Sequence, residues 1–159
     1  EGGFRVPFVV RWPGHVEQGT VSDRMINLVD IFATVQDLVG GKVLPAEEAA
    51  ADSYSFYDEI TGKRDKNSVR PHMVVNSVNG VVAIRKGPWK YIEGEAAAPL
   101  TEGAKKYLAK QLGPQLYNLE TDISETKNII EDYPKILEDL QSTLENIREK
   151  GSERLVPDK

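Results

Sequence analysis

Three short segments rich in β-forming residues lie close together between residues 72 and 92, and two turn signals separate them. Asn79-Gly80 follows the first segment, and both central residues of a type I′ hairpin need the positive φ that Asn and Gly tolerate. Lys86-Gly87-Pro88 marks the second reversal. Connections this short join antiparallel neighbours. The sequence therefore predicts an antiparallel meander with strands at residues 72–77, 81–86 and 89–92.

A fourth strand and a terminal helix complete this predicted layer. Residues 115–119 read as a strand, after a long connection at 93–114 in which residues 100–112 have a helical composition. Residues 134–150 predict a helix whose apolar stripe is Ile136, Leu140, Leu144 and Ile147. The expected fold is α+β, a small antiparallel sheet of about four strands covered by the C-terminal helix.

The N-terminal part has a different pattern. Residues 8–12 form an apolar run that Pro13-Gly14 stops, which predicts a mostly buried strand. Residues 28–39 predict a helix with Asp30 at the N-cap and Gly40-Gly41 after its end. The apolar side chains on one face of this helix are Ile31, Val35 and Leu38. We expect this strand and helix to precede the sheet as a separate part of the chain.

Composition narrows the chemistry that the chain can perform. None of the 159 residues is Cys, which excludes disulfides, thiolate zinc sites and any nucleophile made from cysteine. With 25 acidic and 20 basic side chains the net charge is -5, so a nucleic-acid partner is not expected. No apolar run approaches the roughly 18 to 20 residues that span a bilayer, and no membrane partner is expected either.

Few residues are candidates for catalysis. His15 follows a turn and is interpreted as a solvated turn residue, whereas His72 begins a predicted strand and could reach a cleft or serve a structural role. The acidic pairs Glu47-Glu48, Asp58-Glu59 and Glu131-Asp132 lie on loops or helix ends, where solvation explains them. No metal loop, Walker-type or dinucleotide motif is present, so the residues alone give no complete catalytic constellation.

Four sequence segments together span nearly the whole chain and occur in a characteristic order. They are EGGFRVPFVVRWPGHVEQGTVSD, INLVDIFATVQDLVG, AIRKGPWKYI and QLYNLETDISETKNI. In this order and at about this spacing they resemble the C-terminal part of type I sulfatases, the arylsulfatase-like members of the alkaline phosphatase superfamily. The resemblance implies that residues 1–64 are the tail of the α/β catalytic domain, a strand-helix remnant, and that residues 65–159 are the C-terminal subdomain.

The resemblance also implies which chemistry lies outside this sequence. Type I sulfatases attack the sulfate ester with a formylglycine, made from the Cys or Ser of a C/S-x-P-x-R motif, beside a bound calcium ion. Basic side chains stabilise the charge that develops there. In such enzymes these residues precede the EGG-x-R block, with which this chain begins. We therefore assign no catalytic residue, metal ligand or cofactor to the chain and expect it to be inactive alone.

Some residues of the implied active-site neighbourhood remain in the sequence. Glu1 and Arg5 match the EGG-x-R block, where Arg5 is favoured as a scaffold residue that braces the backbone beside the site. Many relatives carry His next to Ser before the Asn-Gly turn. This chain has Asn76 followed by Ser77, and an amide can bind a sugar hydroxyl but cannot act as a proton donor near neutral pH. With His72, these two residues are candidates for substrate contact.

The long connection 93–114 supplies further candidates. Lys105, Lys106 and Lys110 lie near one face of its predicted helix. A solvated surface helix is one interpretation. The other is that the lysines line the rim of the substrate cleft and attract an anionic sulfated glycan.

The leading hypothesis is a fragment of a sulfatase that acts on a sulfated carbohydrate or an aryl sulfate. Calcium and formylglycine are expected in the parent protein, which is expected to be exported to the periplasm, the lysosome or the medium. The partner is a sulfated small molecule or glycan, and apolar faces left exposed in the chain favour self-association. The alternatives are a related phosphoester or phosphonate hydrolase and a non-catalytic binding module.

Overall fold

A computed structural model describes residues 3–41, 44–45, 48–63, 70–77, 80–96, 102 and 113–154. The chain forms two compact units. Unit 1 consists of Glu1–Arg5 and His72–Asn146, and unit 2 of Val6–Pro71 and Ile147–Lys159. The sheet lies in unit 1. The functional division into a catalytic-domain tail and a C-terminal subdomain stays a prediction.

The sheet has four antiparallel strands in sequence order. They are β1 (Met73–Asn76), β2 (Val81–Lys86), β3 (Trp89–Ala96) and β4 (Gln115–Asn118). Positive φ angles of 74° at Gly80 and 57° at Gly87 turn the chain between the first three strands. The predicted meander and its fourth strand are therefore confirmed, while Asn79 of the first turn lies outside the described residues.

The C-terminal helix, Pro134–Lys150, covers one face of this sheet, and its bounds are those expected from the sequence. Because this is the third helix whose bounds the structure gives, we call it α3. The amide of Gln141 donates to the hydroxyl of Tyr91 on β3 over 3.2 Å. Ile84 and Leu116 are fully buried, and Leu140 of α3 is 1% exposed. The predicted α+β fold with a covering C-terminal helix is confirmed.

The connection from β3 to β4 is only partly described. The predicted helix 100–112 lies outside the described residues, apart from Glu102, which is helical. At the start of the connection Gly94 has a φ of +81°, and a Cβ placed there would lie 2.1 Å from the carbonyl carbon of Gly113. A glycine is therefore required for the backbone of β3 to pass this close to the segment that leads into β4.

Between residues 6 and 71 of unit 2, the described residues form two helices, α1 (Asp30–Leu38) and α2 (Tyr57–Ile60). The first of them corresponds to the helix predicted at residues 28–39. However, Asp30 is the first helical residue rather than the N-cap, because its carboxylate is used elsewhere: Oδ2 accepts the N–H of Asn27 over 2.7 Å and Oδ1 accepts that of Tyr54 over 2.9 Å. None of the described helices is long and apolar enough to cross a bilayer.

The buried face of α1 is polar or small, and its apolar face is exposed. Asp30, Ala33 and Thr34 are buried. Ala33 N–H donates to the hydroxyl of Ser53 over 2.9 Å, and the hydroxyl of Thr34 accepts from the N–H of Phe56 over 3.1 Å. The large apolar side chains exposed on and beside this helix are Leu28, Val29, Ile31, Phe32, Val35, Leu38 and Val39.

The predicted strand at residues 8–12 is wrong. This segment has no strand structure, and Val9 in its middle is 88% exposed. A strand is held by hydrogen bonds to a neighbouring strand, and none of the described strands pairs with this segment. Two of its rings make contacts: Phe8 meets Phe56 edge-on at 5.7 Å between ring centroids, and Trp12 stacks on His15 at 4.0 Å.

Candidate functional site

The end of β1 carries two of the predicted substrate-contacting residues. Asn76 is the last residue of the strand and is exposed, and the half-buried Ser77 follows it. The hydroxyl of Ser77 accepts a hydrogen bond from the N–H of Val81 over 3.0 Å. The backbone N–H of Ser77 donates to the carbonyl of Val81 over 2.9 Å. Ser77 therefore shapes the turn, which leaves the Asn76 amide as the more accessible group.

His72 does not lie beside this pair. It precedes β1 and is 4% exposed, whereas Asn76 ends the same strand. Four residues of extended chain span about 13 Å at the usual rise per residue. The structure thus places these two candidates at opposite ends of β1, and the substrate role of each stays a prediction.

The other predicted residues are placed only in part. Glu1, Lys105 and Lys106 lie outside the described residues, and Arg5 is exposed. Beside Arg5, the ring of Phe4 lies 5.5 Å from Nζ of Lys90 on β3. The described part of the EGG-x-R block therefore belongs to unit 1 and contacts the sheet.

Lys90 is a buried charge that the sequence interpretation missed. It is 3% exposed, and its Nζ lies 2.6 Å from a carboxylate oxygen of Glu125. Lys90 is paired across the strands with Tyr117. Burial, followed by the charges of Glu125 and Asp122, raises the pKa of the Tyr117 hydroxyl. The sequence did contain a signal for this burial, namely a lysine between two aromatic residues in the interior of a predicted strand.

A tight turn holds Glu125 in place. Glu125 has a φ of 55°, which is uncommon for a residue with a side chain. The Asp122 carboxylate accepts the N–H of Lys127 over 2.9 Å and that of Thr126 over 2.8 Å. These backbone hydrogen bonds, from Lys127 first, lower the pKa of Asp122. The turn thus fixes the residue that pairs with Lys90.

A second buried charge, Arg70, organises unit 2. Its guanidinium donates to both oxygens of Asp30, over 3.0 and 2.6 Å, and also to Glu153. The ring of Tyr54 lies 4.8 Å from the guanidinium carbon, and its hydroxyl donates to the carbonyl of Glu153 over 2.6 Å. This charged cluster joins α1, the loop after it and the residues that follow α3.

Burial and ion pairing have opposite effects on the pKa of Arg70. Burial would lower the pKa of Arg70, but the hydrogen bond and charge of Asp30, with a further contribution from Glu153, raise it. Burial raises the pKa of Tyr54 to about 12. Arg70 is therefore a permanent cation neutralised by two carboxylates, which indicates a structural role.

The described charged groups pair mainly with each other. Among the described residues, no group of three or more His, Asp or Glu side chains could hold a metal ion. A small cleft in unit 2 is lined in part by Arg24, Glu59, Asp30 and Arg70, and its charges pair with each other. The exposed Asn76 amide is the described candidate best suited to contact a ligand.

Comparison with known proteins finds relatives that are similar to nearly the whole chain. An N-acetylgalactosamine-6-O-sulfatase of Bacteroides thetaiotaomicron is 36% identical over 148 residues, which cover 93% of this chain and 28% of that protein. A solved Bacteroides thetaiotaomicron structure from a locus for the metabolism of multiple glycosaminoglycans matches 89% of this chain at 35% identity, with a TM-score of 0.72. The chain matches the C-terminal part of a sulfatase.

More distant sulfatases agree with this assignment. Human arylsulfatase A is 29% identical over 140 residues, 82% of this chain. The solved structure of a 2-O GAG sulfatase covers 76% of the chain at 26% identity, with a TM-score of 0.50. No protein-family model matches the chain. The chain spans 28% of the bacterial relative's length and 27% of that of arylsulfatase A.

Proposed function

We propose that this chain is the C-terminal part of an enzyme that hydrolyses sulfate esters. The observation that carries the proposal is the match to the N-acetylgalactosamine-6-O-sulfatase over 93% of the chain. In this proposal the reaction centre is supplied by the rest of the protein. The alternatives are a phosphoester or phosphonate hydrolase of the same superfamily and a non-catalytic binding module.

The expected calcium ion does not fit the described residues. They contain no cluster of carboxylates or histidines suited to a metal ion. We therefore assign the calcium and the formylglycine to the rest of the protein and derive no step through either in this chain. The contribution of this chain to catalysis is to position the substrate and to support the site.

The exposed face of α1 supports an association with the rest of the enzyme. Ile31, Phe32 and Val35 are 41%, 53% and 49% exposed, although their neighbours on the opposite face are buried. A contiguous apolar surface of this kind marks an interaction site. We propose that it packs against the remainder of the sulfatase, which is exported from the cytoplasm.

The relatives and the exposed Asn76 support a proposal for the substrate class. The bacterial relative is named for a sulfated amino sugar. The Asn76 amide is exposed at the end of β1 and can both donate to and accept from a sugar hydroxyl. We propose a sulfated carbohydrate as the substrate, with Asn76 and Ser77 near the sugar and Lys105 and Lys106 attracting its negative charge.

Turnover by the full-length protein tests the activity. Full-length protein carrying formylglycine should release sulfate from a sulfated amino sugar, and the 159-residue chain should not. Faster release of phosphate from matched phosphate esters would favour the phosphoester hydrolase. Binding of the sugar without release of either anion would favour the binding module.

A KM comparison tests the substrate contacts. Replacing Asn76, or Lys105, Lys106 and Lys110 together, with Ala should raise KM for a sulfated oligosaccharide and spare a small aryl sulfate. Lys127 and Lys135, exposed lysines of the same unit, provide the matched control. Equal effects on both substrates would contradict a role in binding the sugar.

A further inference from the structure

Lys90 lies on the face of the sheet opposite α3. Successive side chains of a strand point to opposite faces, and the adjacent Tyr91 contacts Gln141 of α3. Lys90 therefore points away from the helix, as does Tyr117, its partner across the strands. A lysine this buried, at 3% exposure, must be compensated by neighbouring groups.

The groups described near the ammonium of Lys90 include a carboxylate and an aromatic ring. The carboxylate of Glu125 lies 2.6 Å away, held by the turn that Asp122 organises. The ring of Phe4 lies 5.5 Å from the same ammonium, within the range of a cation–π contact. Phe4 is 40% exposed even with this contact in place, so only part of the residue is buried.

We propose that Lys90 and Glu125 form a charged anchor that holds the segment of Phe4 and Arg5 against the sheet. The carboxylate fixes the ammonium, and the ammonium attracts the face of the Phe4 ring, which is the negative part of its quadrupole. The anchor would thereby keep this segment within unit 1. This inference concerns the chain itself and does not depend on the sulfatase activity.

Limited trypsin digestion of the 159-residue chain measures the anchor directly. Lys90→Met should raise the rate of cleavage after Arg5 about tenfold, because the held segment opens more often. Cleavage after Arg11, which belongs to unit 2, should not change. Lys90→Arg keeps the charge and should retain most of the protection.

Lys86→Met is the matched control. Lys86 also pairs with a carboxylate, Asp139, over 2.7 Å, but this pair is exposed and involves α3. Its loss should leave cleavage after Arg5 unchanged. Equal rates after Arg5 in the Lys86 and Lys90 variants would overturn the proposal.

Phe4→Leu decides the outcome if Lys90→Met unfolds the sheet. Unfolding would be visible as new cleavage after Arg85, which lies within β2. Phe4→Leu keeps the charged pair and an apolar side chain but removes the ring. Faster cleavage after Arg5 with Arg85 still protected would support the anchor, and an unchanged rate would overturn it.

Discussion

Arg70 and Asp30 form a two-armed ion pair in which each side chain is only 1% exposed. The two residues lie 40 positions apart in the sequence. Asp30 also accepts the N–H groups of Asn27 and Tyr54, so its carboxylate oxygens are used by three residues. Water reaches neither of these side chains. Each charge therefore depends on the other for its stabilisation.

Removal of Arg70 alone should strongly destabilise unit 2. Arg70→Met leaves Asp30 buried without its cation and should lower the free energy of unfolding by about 3 to 5 kcal/mol. Urea unfolding followed by Trp12 fluorescence, with Trp89 replaced by Phe, reports on this unit.

The double variant Arg70→Met with Asp30→Leu should recover part of this loss, because it removes two of the three buried charges and leaves only Glu153 without its cation. If the double variant is no more stable than Arg70→Met, the buried charge is not the cause. Lys86→Met breaks an exposed pair and should cost at most about 1 kcal/mol.

The stabilisation from Tyr54 should disappear in strong alkali. Its pKa is 10.0 when unperturbed and about 12 in the folded chain, so the folded state holds the proton more tightly. The contribution is complete below pH 10 and falls as the pH rises towards 12. Tyr54→Phe, which loses the hydrogen bond to Glu153, should cost about 1 kcal/mol below pH 10.

Unfolding midpoints of the native chain and of Tyr54→Phe, measured across this pH range, give the comparison. The gap between them should narrow as the pH rises. Tyr57→Phe removes a tyrosine hydroxyl elsewhere in the same unit and serves as the control. A gap that stays constant with pH would contradict the assignment.

Gly94 and Gly87 should respond differently to a methyl group. Both have positive φ angles, 81° and 57°, so Ala at either site is strained by about 1 to 2 kcal/mol. Only the Cβ at Gly94 would also meet the backbone of Gly113, at 2.1 Å, while nothing lies near the Cβ at Gly87. Thermal unfolding should show the larger loss for Gly94→Ala, and equal losses would mean that the connection moves aside without cost.

The apolar face of α1 should govern the self-association of the isolated chain. Phe32 is 53% exposed, so Phe32→Glu should reduce association while changing the free energy of unfolding by no more than about 0.5 kcal/mol. Ile123→Glu, at a 46% exposed site in unit 1, should leave association unchanged. Sedimentation velocity measures both, and equal effects would show that α1 is not the contact surface.

Local signals predicted the sheet well. Glycines that tolerate a positive φ explain the turns at Gly80 and Gly87. The spacing of apolar residues explains the bounds of β2 and α3. Both signals act over a few residues. The same reasoning failed at residues 8–12, because a strand also depends on a partner that local composition does not reveal.

Long-range electrostatics could not be derived from the sequence. Arg70 follows a polar stretch and gives no local sign that it meets Asp30 and Glu153 inside unit 2. Lys90 likewise depends on Glu125, which a turn in another part of the chain presents. Of the candidate site, Asn76 is proposed from the resemblance to sulfatases that carry His at this place, whereas the burial of His72 could not be inferred from the sequence.

The cluster around Arg70 also sets an order of events during translation. Arg70 is synthesised 83 residues before Glu153, and the whole of His72–Asn146 is made in between. Arg70 and Asp30 therefore lack one of their buried partners until the residues around Glu153 have been made. Unit 2 is therefore completed only after the sheet residues of unit 1 have been synthesised.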